Sequence, residues 1–184
     1  MSHPMRRRAQ LAAGAAVLAL AATAGLAGAS DNHSHNGIRY SSWDQQWVTA
    51  SIQGDRFEVI GGRLAATKGT TPQVRALGAR LVKDHGKSLA DAERLARRLG
   101  IDIPKTPTES QQWELRTVGS FTGIAFDRAY ADLEVADHKQ DIQEADDEVS
   151  DGSNRTVRHM AHDELPMLRA HLQLSRTALQ TAAG

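Results

Sequence analysis

The chain has 184 residues, with 22 basic side chains, 22 acidic side chains and no cysteine. This length is enough for one domain with its own hydrophobic core. The absence of cysteine excludes a disulfide framework and zinc-thiolate sites, so any metal site must use histidine and carboxylate ligands.

The first 29 residues have the pattern of a secretory signal peptide. Arg6, Arg7 and Arg8 form a positive start, an apolar run covers 11–26, and Ala27-Gly28-Ala29 is a small-residue cleavage site. A transmembrane anchor is the alternative, which the short apolar run disfavours. We therefore expect export to the periplasm, the cell surface or the medium, and no transmembrane segment in the mature chain.

Cleavage would also change the charge of the protein. It removes three arginines and no acid, which takes the formal net charge from 0 to −3. Nucleic-acid binding needs a dense cationic face, so we expect no nucleic-acid partner. Residues 30–42 are rich in Asn, His, Ser and Gly without periodicity, which is typical of a flexible leader.

The first predicted helix covers about 43–68, with Ser42 and Gln45 as a capping box. Gly54 and Gly61 interrupt its apolar stripe, and we expect them to let a neighbouring helix come close. The second helix begins after Thr71, which is a good N-cap followed by proline, and it ends at Gly100.

A proline-containing connector then leads to a short helix at about 110–118 and a third long helix at about 125–149. The fourth long helix begins at the N-cap Asn154 and ends near 181, with Pro166 inside it. Four long helices with short connections predict an all-α, up-and-down four-helix bundle over 43–182, with a short extra helix between helices two and three.

Each long helix places a metal-ligating side chain at a position that faces the predicted core. Leu81, His85 and Leu89, for example, are spaced four apart and share one helix face. Bundle proteins build metal centres from such inward residues. The candidate ligands are Glu58, His85, His138 and His171, with Asp84, Glu134, Asp137 and Glu164 as further ligands or as residues that orient the ligands. The ion would be divalent zinc, copper or iron.

One other interpretation of these polar residues remains open. A hydrogen bond between His85 and Glu134 would satisfy both residues without an ion and make the histidines structural. The protein would then be a non-catalytic envelope domain that binds another envelope protein or a second copy of itself. His159, His162 and Asp163 can share one helix face, but this group is typical of an exposed surface.

The sequence predicts no catalytic residue. It has no cysteine nucleophile, no Gly-x-Ser-x-Gly, no phosphate-binding glycine loop and no His-Glu-x-x-His. These absences argue against hydrolase chemistry and favour a protein that is not an enzyme.

The order and spacing of several short motifs resemble an exported bacterial ferritin-like family, domain of unknown function 4142, often labelled as outer membrane proteins. The matching residues are Ala50, Gly54, Glu58-Val59, Gly62 and Leu64-Ala65; Pro72, Val74, Val82, Asp84-His85 and Lys87; Phe126-Asp127-Arg128-Ala129-Tyr130 and Ala136-Asp137-His138; and Leu165-Pro166, Leu168-Arg169 and His171-Leu172.

This resemblance implies a ferritin-like four-helix bundle outside the cytoplasm and no established reaction. The sequence lacks the Glu-x-x-His motif that ferritin-like di-iron proteins carry on two helices. Three imidazoles with fewer carboxylates fit zinc or copper at least as well as iron.

Overall fold

The structure is a computed structural model that describes residues 32–184, so the predicted signal peptide at 1–29 lies outside the described residues. The elements are β1 (Asn32–His35), β2 (Ile38–Ser41), α1 (Ser42–Lys68), α2 (Pro72–Leu99), α3 (Glu109–Ser120), α4 (Gly123–Asp151) and α5 (Arg155–Ala183). Within 32–184, none of the helices has the length and apolarity needed to cross a membrane.

The residues before α1 form a β-hairpin, so the prediction of a flexible leader over 30–42 is wrong for the described part of that range. The two-residue turn is Asn36-Gly37, and both residues have positive φ angles, of 50° and 77°. This geometry matches the right-handed twist of the paired strands, and Asn-Gly favours it. Tyr40 of β2 is buried in the same apolar cluster as Trp47, which fixes the hairpin on the bundle.

The helix ends follow their capping residues. The capping box of α1 lies one residue earlier than predicted, because Ser41 accepts from the Asp44 N–H and Asp44 accepts from the Ser41 N–H. The other predicted caps are confirmed. Thr71 accepts from the Val74 N–H, Gly100 ends α2 in the left-handed conformation at φ 70°, and Asn154 caps α5.

The four long helices form an all-α, ferritin-like bundle, as predicted, and α3 is the short extra helix. α1 packs mainly against α2, and α4 packs mainly against α5. Asp127, near the start of α4, accepts from the N–H groups of Thr70 and Thr71 at the start of α2, at 2.9 and 2.6 Å. The two helices therefore begin at the same end of the bundle and run parallel.

This direction differs from strict up-and-down alternation because residues 100–122 are one long crossover that carries the chain back along the bundle. A single long crossover is the ferritin-like connection among four-helix bundles. At the opposite end, Asp44 accepts from the N–H groups of Ser153 and Asn154, both at 2.9 Å, and joins the start of α1 to the start of α5.

α1 and α2 approach each other closely where two glycines face each other. A Cβ atom on Gly62 would lie 2.7 Å from the carbonyl oxygen of Gly78, and a Cβ on Gly78 would clash with the backbone of Gly62 and Ala66. Gly61 has the predicted close neighbour, since its Cβ would lie 3.2 Å from Leu115. The prediction for Gly54 is wrong, because a Cβ there would have no neighbour within 4 Å.

The apolar core is divided into two clusters. One cluster contains Trp47, Ile52 and Leu99, and the other contains Leu77 and Phe126. One group of buried polar side chains from the long helices lies between these clusters in the chain, near the middle of each helix; its members are Asp55, Glu58, His85, Glu134, His138 and His171. The bundle therefore has a buried polar layer at mid-height.

Candidate metal centre

Three predicted ligands come together in this polar layer. His85 of α2, His138 of α4 and His171 of α5 are at most 2% exposed. One ring nitrogen from each histidine lies within 4.8 Å of the other two. The ring centroids are 5.1 to 5.7 Å apart. Helix periodicity predicted the inward direction of each ring, and the parallel course of α2 and α4 brings them to one height.

Two of the rings are oriented by carboxylates. Nδ1 of His85 lies 2.8 Å from Oδ1 of Asp55, and Nε2 of His171 lies 2.9 Å from Oδ2 of Asp84. Between the rings, Nε2 of His85 lies 3.2 Å from Nδ1 of His171. These contacts form a chain from Asp55 through His85 and His171 to Asp84.

This chain of three contacts is one proton short. Each contact needs one hydrogen between its two atoms, and two neutral imidazoles supply only two. Burial lowers the pKa of His85 to about 4 and that of His171 to about 4, so both rings are neutral near pH 7. The third contact therefore requires either a proton on Asp55, whose pKa burial raises, or a cation between the two rings.

His138 has one nitrogen with no hydrogen-bond partner. Its Nδ1 donates to the backbone carbonyl of Glu134 at 3.0 Å, so its Nε2 carries the lone pair. That Nε2 is buried and unpartnered. Burial, followed by the nearby rings of His85 and His171, lowers the pKa of His138 to about 3. A neutral imidazole with a bare, buried lone pair is a costly feature without a ligand.

Glu58, the fourth predicted ligand, lies beside the histidines in a neighbouring carboxylate group. Its Oε1 is 3.9 Å from Nδ1 of His138, on the side of that ring away from the bare nitrogen. Glu58 and Asp137 each offer an oxygen that lies within 4.8 Å of the other and of a His138 nitrogen. The structure therefore separates Glu58 from the set formed by the three histidines.

The carboxylate group contains several unsatisfied buried atoms. Both carboxylate oxygens of Glu58 and of Glu134, Oδ2 of Asp137 and the hydroxyl of Tyr130 have no hydrogen-bond partner. Burial and then the charge of Asp137 raise the pKa of Glu134 to about 8, and burial raises the pKa of Glu58 well above its usual value. Glu134 therefore holds a proton near neutral pH, and burial favours the protonated form of Glu58 in the same way, which limits the negative charge beside the histidines.

The remaining predicted residues have different places. Asp84 orients His171, and it also accepts from Arg80. Glu164 accepts from the hydroxyl of Ser88 and takes no part in the histidine cluster. The sequence left open a hydrogen bond between His85 and Glu134. In the structure, His85 pairs with Asp55 instead.

Sequence reasoning missed Asp55. The signal was present, because Asp55 precedes Glu58 by three positions and so lies on the same inward face of α1. The exposed group was interpreted correctly: His159 and His162 each pair with Asp163, and all three side chains are at least 59% exposed.

A family model described as "Domain of unknown function (DUF4142)" matches residues 29–177. The chain belongs to this family. The prediction from the sequence resemblance is thus confirmed, and the DUF4142 chain carries a buried group of histidines and acids that could hold a metal ion.

The DUF4142 chain is also similar to a solved structure described as "Crystal structure of DUF305 fragment from Deinococcus radiodurans". The two share 11% sequence identity with a TM-score of 0.68, and the match covers 77% of this chain and 98% of the other. At this identity the likeness shows the fold alone. A comparison with curated proteins finds no match.

Proposed function

We propose that this DUF4142 protein binds one divalent transition-metal ion through His85, His138 and His171. The unpartnered, buried Nε2 of His138 is the observation that carries the proposal. The neighbouring nitrogens of His85 and His171 support it, because they lie 3.2 Å apart. Two ligands of a tetrahedral ion would be about 3.3 Å apart, given zinc–nitrogen bonds of about 2.0–2.1 Å.

The chemistry of the donor set favours zinc or copper over iron. Three neutral imidazoles suit both ions, and the nearest carboxylates hold protons or serve the rings as partners. Asp55, Asp84 and the carbonyl of Glu134 each contact the second nitrogen of one histidine. Such partners fix the orientation of ligating imidazoles. Three protein ligands would leave a fourth position, where a bound ion could act as a Lewis acid or exchange with other chelators.

The test is metal analysis of protein purified without a histidine tag and dialysed against a weak chelator. We expect one zinc or copper ion per chain in the wild type, and less than a tenth of that in His85→Ala and His138→Ala. The double variant His159→Ala/His162→Ala removes the exposed imidazoles and should retain the full ion. Equal, substoichiometric metal in all four proteins would overturn the proposal, provided that circular dichroism shows each variant to be helical.

A second candidate function is that of an envelope interaction domain. The exposed apolar side chains in and after the crossover support it. Trp113 and Phe121 in and after α3, and Ile124 at the start of α4, are 60%, 43% and 51% exposed. Exposed large apolar side chains bind another protein where they form one continuous patch, and these three lie within 12 residues of the chain. Sedimentation of the wild type and Trp113→Ser would test self-association. This candidate alone predicts a melting temperature that chelators leave unchanged.

We also propose that the mature protein is exported after cleavage following Ala29. The charged start, apolar run and small-residue site support this proposal. N-terminal sequencing of the protein recovered from the periplasm or the medium tests it. A chain that retains Arg6 and stays in the cytoplasm would contradict it.

A further inference from the structure

A small cavity lies beside the histidine cluster, among α1, α4 and α5. Its volume is about 40 Å³, and His85 forms part of its wall. A cavity needs about 10–15 Å³ to hold one water, so this one has room for a few water molecules. It therefore offers a hydrated space in direct contact with one of the proposed ligands.

The wall of this cavity is strongly acidic. Its titratable lining side chains are Asp55, Asp141, Glu144, Glu164 and His85, and no lysine or arginine lines it among the described residues. Asp55 is 5% exposed, and its Oδ2 has no hydrogen-bond partner, while its Oδ1 contacts His85. Asp55 thus connects the cavity to the histidine cluster, and its buried Oδ2 is an acceptor without a donor.

A second depression between α2 and α5 is much larger, at about 960 Å³, but its charge is mixed. Lys87, Arg94, Arg98 and Arg155 line it together with acidic residues. Divalent cations take carboxylate oxygens and water as ligands, and a lysine or arginine beside the carboxylates competes with the ion. The small cavity is therefore the better site for a cation, although it is the smaller of the two.

Gly54 is part of the wall of this cavity. It lies in the interior of α1 and lines the cavity, and a Cβ atom on it would have no neighbour within 4 Å. Glycine inside a helix costs about 0.8–1.0 kcal/mol relative to alanine. Close packing therefore does not explain this glycine, and because Gly54 belongs to the cavity wall, we expect a side chain at this position to narrow the cavity.

We propose that this acidic cavity is a binding site for a hydrated divalent cation, and that it delivers the ion to His85 and the other two histidines. Asp55, Asp141 and Glu164 hold the ion through its water shell. Asp55 is the shared residue, because it contacts both the cavity and His85. The delivery step rests on the proposed function, whereas cation binding in the cavity stands without it.

Manganese binding tests the cavity itself, because carboxylates and water suit this ion better than imidazoles alone. Free Mn²⁺ is measured by electron paramagnetic resonance during titration of the whole mature chain. We expect Asp141→Asn/Glu164→Gln to weaken binding at least tenfold and His138→Ala to leave it unchanged. Asp132→Asn/Asp151→Asn, which removes two exposed carboxylates from the same helix, should also leave it unchanged. Equal affinity in the cavity variant and this control would overturn the proposed site.

Cobalt loading tests delivery, since tetrahedral Co²⁺ with imidazole ligands gives a visible absorption band. In stopped flow, we expect Asp141→Asn/Glu164→Gln and Gly54→Ala to load at least tenfold more slowly, with the final band unchanged. Gly86→Ala, at an exposed glycine whose Cβ would also have no neighbour within 4 Å, should load at the wild-type rate. Wild-type rates in both cavity variants would overturn delivery. A wild-type band in His138→Ala would instead overturn the histidine site.

Discussion

Nε2 of His85 lies 3.2 Å from Nδ1 of His171, and the other nitrogen of each ring contacts a carboxylate. Asp55 and Asp84 therefore determine which nitrogen of each ring points into the centre of the bundle. An imidazole held in this way keeps its lone pair directed at the site even before an ion binds. The ligands are thus oriented by residues from α1 and α2 as well as by their own helices.

The first prediction concerns Asp84, which holds His171 from the partly exposed side. Asp84→Asn should weaken zinc affinity by about 10–100-fold, because the ring loses the partner that fixes its orientation. Competition with a chromophoric chelator measures the affinity. Asp91→Asn, at a partly exposed aspartate on the same helix that pairs with Arg94, is the control and should bind as the wild type does. If the two variants bind zinc equally tightly, Asp84 does not position the ligand.

The second prediction concerns thermal stability. A ligand at 100 times its Kd stabilises the folded state by about 2.7 kcal/mol, which in a domain of this size raises the melting temperature by roughly 5–10 °C. We expect the wild type to melt at a lower temperature after treatment with a chelator. His138→Ala should melt at one temperature with and without the chelator. Differential scanning calorimetry makes the comparison, and a wild type that ignores the chelator would favour the envelope interaction domain.

The third prediction concerns the contact between α1 and α2. Gly78→Ala should destabilise the protein by about 1–3 kcal/mol, because the new Cβ meets backbone atoms of Gly62 and Ala66 that move only if the helices separate. Gly86→Ala lies on the same helix in open space and should stabilise it by roughly 0.5–1 kcal/mol. Urea denaturation gives both values. If Gly78→Ala stabilised the protein as much as Gly86→Ala, helix propensity would outweigh the close approach.

The fourth prediction concerns Glu148, a fully buried side chain with no hydrogen-bond partner at either carboxylate oxygen. Burial and then the charge of Asp44 raise its pKa from 4.5 to about 8. The folded protein therefore binds a proton that the unfolded chain releases above pH 4.5. The stabilisation that this proton gives the folded state is complete below pH 4.5 and is lost as the pH rises towards 8.

Glu148→Gln removes this dependence. The melting temperature of the variant relative to the wild type should rise between pH 4.5 and 8 and stay constant above pH 8. Melting curves across this range, with the exposed Asp132→Asn as control, provide the measurement. Parallel curves for Glu148→Gln and the wild type would show that this carboxyl group titrates alike in the folded and unfolded chains.

The sequence predicted the helices and the inward histidines because both depend on local periodicity and capping. Thr71, Gly100 and Asn154 act at their own helix ends, and His85 shares a face with Leu81 and Leu89 whatever packs against it. The place of Glu58 was not predictable in this way. It depends on how α1 is rotated against α4, which spacing along one helix does not determine.

Two further features depend on long-range contacts. The bond of Asp127 to Thr70 and Thr71, which shows that α2 and α4 run parallel, joins residues 56 and 57 positions apart. The hairpin depends on the burial of Tyr40 against the bundle. Its Asn36-Gly37 turn was a local signal, but the polar composition of the segment favoured a flexible leader. The inward direction of Asp55 was readable from its spacing to Glu58, but its contact with His85 joins two helices and depends on how they pack.

The crossover has a consequence for how the protein folds. α1 with α2, and α4 with α5, are two antiparallel hairpins whose contacts are local in sequence, so we expect each to form early. His85 belongs to the first hairpin, whereas His138 and His171 belong to the second. The three nitrogens can meet only when the two hairpins dock. An ion bound there would stabilise the docked state and slow the separation of the hairpins, which is the first step of unfolding.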